Sequence, residues 1–271
     1  MTTSTQWQLE RESAERYQSI LTPAILGPFA RALVDFAALQ RNEWVVDVGC
    51  GTGAAARYAA EVVGTSGRVT GIDVNAGMIE VARTLTAAQG APIDWQVANA
   101  TQLPLDDHSV DVVLCAQTLQ FLPEKQLALA EMQRVIKPNG RIAISLWCDI
   151  ADNPYFDALV GAVARHIGPE TAAGLQSALA LTGADEIHTL LKEAGLRQIE
   201  MRVTQLDLPL PPLAEFVPRH ISATPMDAGF SRALELAQQR VVQEVVERLN
   251  GHEENGRAPI IFRSHIIMSR K

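Results

Sequence analysis

From Val45 to Gly53 the chain reads Val-Val-Asp-Val-Gly-Cys-Gly-Thr-Gly and runs directly into Ala54-Ala55-Ala56. β-Branched residues stop at an acid, glycine then falls at every second position, and helix formers follow. That order describes a buried strand, a tight turn and a helix start. Glycine reaches backbone conformations closed to other residues and lets a ligand approach the main chain. Such a turn is the expected floor of a nucleotide-type cofactor site at the carboxyl end of a parallel strand. The plainer alternative is a glycine-rich turn that holds nothing.

The flanking sequence repeats the theme. Strands are expected at Trp44–Val48, Arg68–Asp73, Asp94–Asn99, Val110–Ala116 and Arg141–Trp147, with helices at Ala54–Val63, Ala76–Ala88 and Glu124–Val135 between them. Alternation of this kind specifies a Rossmann-like doubly wound sheet. Ahead of it, Glu12–Leu39 has a helical pattern that Pro23 and Pro28 are expected to break in two. Lys137-Pro138-Asn139-Gly140 reads as a turn. Past Trp147, helices are expected at Asn153–Ile167, Thr171–Leu181, Ala184–Ala194 (closed by Gly195) and Phe230–Leu249. His252–Gly256 reads as a polar loop. Gln198–Leu208 and Ile260–Met268 are expected to pair antiparallel at the sheet edge. The fold class is therefore α/β: seven strands, mostly parallel with an antiparallel last strand, plus helical insertions forming a lid.

With 271 residues, 47% of them hydrophobic, one large domain is expected. It divides into cap helices (1–40), a cofactor-binding core (41–150), lid insertions (151–182 and 209–258) and closing elements (183–208 and 259–271). The net charge of −8 opposes a nucleic-acid partner, which would want a basic face. Cys50, Cys115 and Cys148 are far apart, so no metal site or disulfide framework is expected. Met1 to Glu15 is polar and has no signal-peptide core, and no apolar run reaches membrane-spanning length. A cytoplasmic protein is expected, as a monomer or homodimer.

Individual residues sharpen the site. Asp73 ends the second strand, where an acid can accept both ribose hydroxyls of an adenosine moiety; capping of the next helix is its alternative role. Val74 and Met78 stand at helix-start spacing and can sandwich an adenine ring, or simply pack in the core. Glycines at 49, 51 and 53 depart from the G-x-G-x-x-G of dinucleotide oxidoreductases.

Taken in order, Val46–Gly53, Asp73, Ala98-Asn99-Ala100-Thr101-Gln102-Leu103-Pro104, Cys115–Pro123 and Arg134–Gly140 resemble the class I S-adenosylmethionine-dependent methyltransferases. The likeness is to the broad group containing the ubiquinone/menaquinone-pathway C-methyltransferases, and it spans Trp44 to Trp147. It implies S-adenosylmethionine as cofactor and S-adenosylhomocysteine as product. It also implies a site made from Tyr17, Asp47, Gly49, Cys50, Gly51, Asp73, Val74, Met78, Asn99, Ala100, Thr101, Ala116, Gln117 and Phe121. In that comparison Asn99 replaces the family's adenine-binding acid, and its amide can still accept the adenine N–H. Gln120 and Phe121 stand where many relatives have two histidines. The main chain at Ala116 or Gln117 would meet the methionyl ammonium, and the Tyr17 hydroxyl the cofactor carboxylate.

Methyl transfer needs positioning more than acid–base chemistry. Should a base be required, His220 and His166 are the candidates. Apolar residues of the insertions (Phe156, Leu159, Leu213, Phe216, Ile221, Phe230) suggest a small-molecule acceptor cavity. The expected activity is O- or C-methylation of a small or lipophilic molecule, such as a secondary metabolite or quinone-like ring. The alternatives are a non-methylating cofactor-binding protein on the same fold and an NAD-dependent dehydrogenase.

Overall fold

The computed structural model describes residues 10–85, 89–249 and 259–270. Seven strands form one sheet in the order β3-β2-β1-β4-β5-β7-β6. They are β1 (Trp44–Val48), β2 (Arg68–Asp73), β3 (Ile93–Val97), β4 (Val110–Ala116), β5 (Ile136–Trp147), β6 (Arg197–Pro209) and β7 (Pro259–Arg270). The first five pair in parallel, and β7 runs antiparallel to both β5 and β6. The chain reverses direction across the sheet between β1 and β4, so their carboxyl ends open a crevice there.

The helices are α1 (Arg11–Arg16), α2 (Gly27–Phe36), α3 (Ala54–Val63), α4 (Ala76–Thr84), α5 (Lys125–Val135), α6 (Pro154–His166), α7 (Pro169–Gln176), α8 (Ala184–Glu193), α9 (Leu213–Ser222), α10 (Asp227–Phe230) and α11 (Glu235–Leu249). The central strands are buried on both faces, as helix-covered parallel strands must be. Val45, Ala56, Ala59 and Val112 belong to the core on one face; Val46, Val113, Leu129 and Met132 belong to that on the other. A third apolar core joins α6, α7, α9 and α11 to Ile20, Ile25 and Phe29.

Several expectations need correction. Pro23 and Pro28 do not break the first helix. A ten-residue π-helix, Tyr17–Leu26, carries Pro23 and connects α1 to α2 without interruption. Proline lacks the donor that an α-helix would need there, and the wider turn absorbs the ring. The Gly27 N–H accordingly reaches the Thr22 carbonyl, five residues back. The resulting run, Arg11–Phe36, is long and apolar enough by composition to cross a membrane, contrary to the expectation of no such run; 56% of its apolar window is buried inside the protein, as in a core helix.

Lys137-Pro138-Asn139-Gly140 is not a free turn between elements but an irregularity inside β5. Val110 pairs with Ile136 and Val112 already with Arg141, so the intervening residues bulge from the ladder. Strand β3 begins and ends earlier than expected, and α4 stops at Thr84. The expected helix at 171–181 is α7 followed by a single 3₁₀ turn, Ser177–Leu179, and the one at 230–249 is split into α10 and α11. The polar loop at 252–256 and the first nine residues lie outside the described residues.

Candidate active site

The glycine turn adopts the conformations its sequence requires. Gly49, Gly51 and Gly53 have φ of +69°, +54° and +85°. A Cβ on Gly49 would sit 2.0 Å from the Thr118 methyl, and one on Gly53 would sit 2.1 Å from the Trp95 ring. A Cβ on Gly51 would meet no protein atom within 4 Å. Two of the glycines therefore serve close packing, and the third leaves open space directly over the main chain. Thr118 locks the turn from the far side: its hydroxyl is within hydrogen-bond distance of the Gly49 and Ala116 carbonyls, at 2.9 and 3.0 Å. The Ile72 carbonyl accepts from the Gly49 and Cys50 N–H groups.

Two carboxylates frame the turn. Asp73 accepts the Gly51 N–H on Oδ2 and the Asn75 N–H on Oδ1, both at 2.8 Å. The cap of α4 is Asn75, whose Oδ1 accepts from Met78 N–H, so the capping alternative for Asp73 does not hold. Burial raises the Asp73 pKa, against the pull of the Asn75, Gly51 and Val74 N–H groups. Asp47 is fully buried, and its Oδ2 accepts the Ala56 N–H at 3.0 Å. Gly53, at the start of α3, supplies no side-chain cap, and Asp47 takes that place from the end of β1. Its other oxygen, Oδ1, has no partner among the described residues, and burial pushes the pKa of Asp47 up to about 7.

One cavity joins these groups. Tyr17, Asp47, Gly49, Cys50, Gly51, Asp73, Val74, Met78, Asn99, Ala100, Ala116, Gln117 and Phe121 all line it. Thr101 does not; its N–H donates to Asn99 Oδ1 at 3.0 Å and closes a local turn. That bond uses one lone pair of the oxygen expected to accept the adenine N–H and leaves the other available. Burial, then Asp73 and Asp47, raise the Tyr17 pKa, so its hydroxyl stays protonated.

The histidines separate. His166 lies outside the cavity, with Nε2 2.8 Å from Glu244 Oε2. His220 lines the cavity, only 2% exposed, and its Nδ1 is 3.2 Å from the Tyr155 hydroxyl. Burial lowers its pKa to about 3. Leu159, Leu213, Phe216, Ile221 and Phe230, expected in the acceptor cavity, pack into the third core instead; among the apolar candidates only Phe156 reaches the lining.

The structure also adds residues that the sequence reading passed over. Leu21, Ile25 and Leu26 come from the π-helix, Trp147 from the end of β5, Leu175 from α7, Ala178 from the 3₁₀ turn after it, and Thr224 from the turn between α9 and α10. Apolar periodicity gives no way to tell such wall residues from core. Gln117 holds φ +51°, an uncommon conformation for a residue with a side chain. Its N–H donates to the Ser145 carbonyl and its amide Nε2 to Ser264 Oγ, which hold it there. Gln120 is buried, donates to the Ala178 carbonyl, and leaves its Oε1 without a partner among the described residues.

An open glycine cradle, two flanking carboxylates and an unpaired buried carboxylate oxygen match a cationic adenosyl ligand in chemistry. Residues 46–144 match the family described as "Methyltransferase domain". The chain is 30% identical over 199 residues to O-methyltransferase resE of Aspergillus sclerotiorum, covering 72% of this chain and 69% of that protein. It is 37% identical over 116 residues to the ubiquinone/menaquinone biosynthesis C-methyltransferase UbiE of Hahella chejuensis, covering 42% and 47%. The chain spans about half the length or less of several curated relatives it matches. Phosphoethanolamine N-methyltransferase 2 of Haemonchus contortus, solved with S-adenosyl-L-methionine, shares the fold at a TM-score of 0.54 and 17% identity, over 89% of this chain and 52% of that one. The chain belongs to the methyltransferase family.

Proposed function

We propose that this protein transfers the methyl group of S-adenosylmethionine to oxygen or carbon of a small, mostly apolar acceptor. The observation that carries the reading is the continuity of the cavity: it runs from the glycine turn and Asp73 to a wall of Leu21, Trp147, Phe156 and Leu175. One end suits an adenosyl group, and the other suits an apolar molecule held against it.

In this reading Asp73 takes the ribose hydroxyls, Val74 and Met78 flank the adenine, and Asn99 and Ala100 meet its edge. Cys50 and Gly51 give the cofactor its main-chain bed. Asp47 Oδ1 faces the cationic end, with Ala116 and Gln117 beside it, and Tyr17 donates to the cofactor carboxylate. Phe121 borders the transfer point. The cofactor supplies an activated methyl group. The protein holds the nucleophile in line with it and excludes water, and such positioning is worth roughly 7–11 kcal/mol of barrier. The described parts of the insertions, 151–182 and 209–249, act as the lid. Arg16 Nε donates to the Ser222 carbonyl at 2.8 Å, which ties the entry helix to that lid.

Titration calorimetry with S-adenosylmethionine, S-adenosylhomocysteine and NAD tests the assignment. Micromolar binding of both sulfur ligands and none of NAD is expected. Tight binding of NAD alone would revive the dehydrogenase alternative, whereas bound cofactor with no turnover across phenols, quinols and enols would favour a non-methylating protein.

A further inference from the structure

The end of the cavity remote from the glycine turn contains a polar group that positioning alone does not require. Tyr155 is fully buried on α6, and its hydroxyl has one hydrogen-bond partner, His220 Nδ1 on α9, at 3.2 Å. A buried O–H is expected to donate, and this nitrogen is its one recipient among the described residues. Nδ1 is therefore the acceptor, which places the proton of the neutral imidazole on Nε2. The ring is wedged among aromatics, its centroid 5.4 Å from that of Tyr155 and 5.8 Å from that of Phe216. Burial is the one influence on its titration, and no charged group among the described residues bonds to it. Nε2 has no partner among the described residues, although the residue lines the cavity and its ring centroid lies 6.4 Å from that of Phe156.

We infer that His220 acts as a fixed hydrogen-bond donor toward the methyl acceptor, so that the acceptor carries a carbonyl or phenolic oxygen on an otherwise apolar frame. This rests on the methyltransferase reading above and narrows its substrate class. A base would need a free lone pair at the cavity face, and this tautomer presents N–H there instead. An all-hydrocarbon ligand leaves the donor buried and unpaired, which disfavours it. Tyr155 is a positioning residue: it touches no ligand but sets which nitrogen carries the proton.

The test uses full-length protein saturated with S-adenosylhomocysteine and two probes of nearly equal shape, 1-tetralone and 1-methylidenetetralin, which differ in a carbonyl oxygen. Calorimetry gives the ratio of their affinities. The wild-type ratio should favour the ketone roughly tenfold more than the ratio in His220→Phe, the equivalent of one hydrogen bond to a buried donor. Tyr155→Phe keeps the imidazole in place and frees its tautomer, so its ratio should fall toward that of His220→Phe. Equal ratios in all three proteins, or no binding of the ketone to the saturated wild type, would overturn the inference and leave the cofactor assignment standing. Failure of S-adenosylhomocysteine itself to bind would overturn both.

Discussion

The two ends of the cavity are built on different principles. The floor is made by the ends of two neighbouring strands, β1 and β2, and its polar groups are engaged by main-chain N–H groups: Asp73 by Gly51 and Asn75, and Asp47 by Ala56. The far wall is assembled from residues as distant as Leu21, Trp147, Leu175 and His220, and it is nearly all apolar. A ligand common to a whole family can be met by backbone geometry, which tolerates side-chain change. A ligand particular to one protein has to be met by side chains, which change freely once the sheet beneath is fixed.

The widest separation between the two ends should come from Asp73→Ala. It removes the hydrogen bonds to the turn and, in the proposed reading, two charge-assisted ones to the ribose worth about 3–6 kcal/mol, so affinity for S-adenosylhomocysteine should fall at least a hundredfold by calorimetry. Unchanged affinity would mean that the floor has been placed wrongly.

The glycines divide the floor itself. Gly49→Ala combines left-handed strain with a clash against Thr118 and should cost about 2–5 kcal/mol, seen as a lower urea midpoint. Gly51→Ala has free space on the protein side, so it should cost only about 1–2 kcal/mol of stability while sharply weakening S-adenosylhomocysteine binding. Equal effects of the two on folding would deny that the cradle is kept for a ligand.

Acid stability reads the far wall. Folded His220 titrates near 3 and the unfolded residue near its ordinary 6.5, so between those values the unfolded chain takes up the proton first. Its contribution is fully present above pH 6.5 and is lost as the pH falls toward 3, at up to about 1.4 kcal/mol per pH unit. Asp47 acts in the opposite sense: its folded pKa lies near 7 against an ordinary 3.8, so its contribution is lost as the pH rises through that window. The difference in urea midpoints between wild type and His220→Phe isolates the first effect. The wild type should lose stability relative to the variant from pH 6.5 to 5, and parallel profiles would contradict a buried neutral imidazole.

The smallest effect belongs to His166→Ala. Its side chain pairs with Glu244 at a partly exposed site, so a loss of about 1 kcal/mol or less is expected, with S-adenosylhomocysteine affinity unchanged. A large loss of affinity would bring this helix into the site.

Much of the floor was legible because local rules and the site coincide there. The run Val45–Gly53 specifies strand, turn and helix from its own residues, and β1, β2, β4 and α3 appear with the bounds their sequence predicts. The first helix was misread at Pro23 because a π-turn depends on what packs around it, whereas the proline rule is local. Thr101 was misplaced because its N–H folds back on Asn99, a choice invisible to motif spacing. Phe216 and Phe156 have the same character in the sequence and share the third core, yet only Phe156 also lines the cavity.

The sequence by itself determined the parallel sheet, the glycine cradle and the acid at the end of β2, because each follows from short-range periodicity and backbone freedom. Only the tertiary structure decided that Trp95 packs on Gly53, that Thr118 locks Gly49, and that the Tyr155 hydroxyl meets a histidine 65 residues away. Those pairings are side-chain contacts across large sequence separations. They are fixed when the sheet and the helices close on one another, and no local pattern carries them.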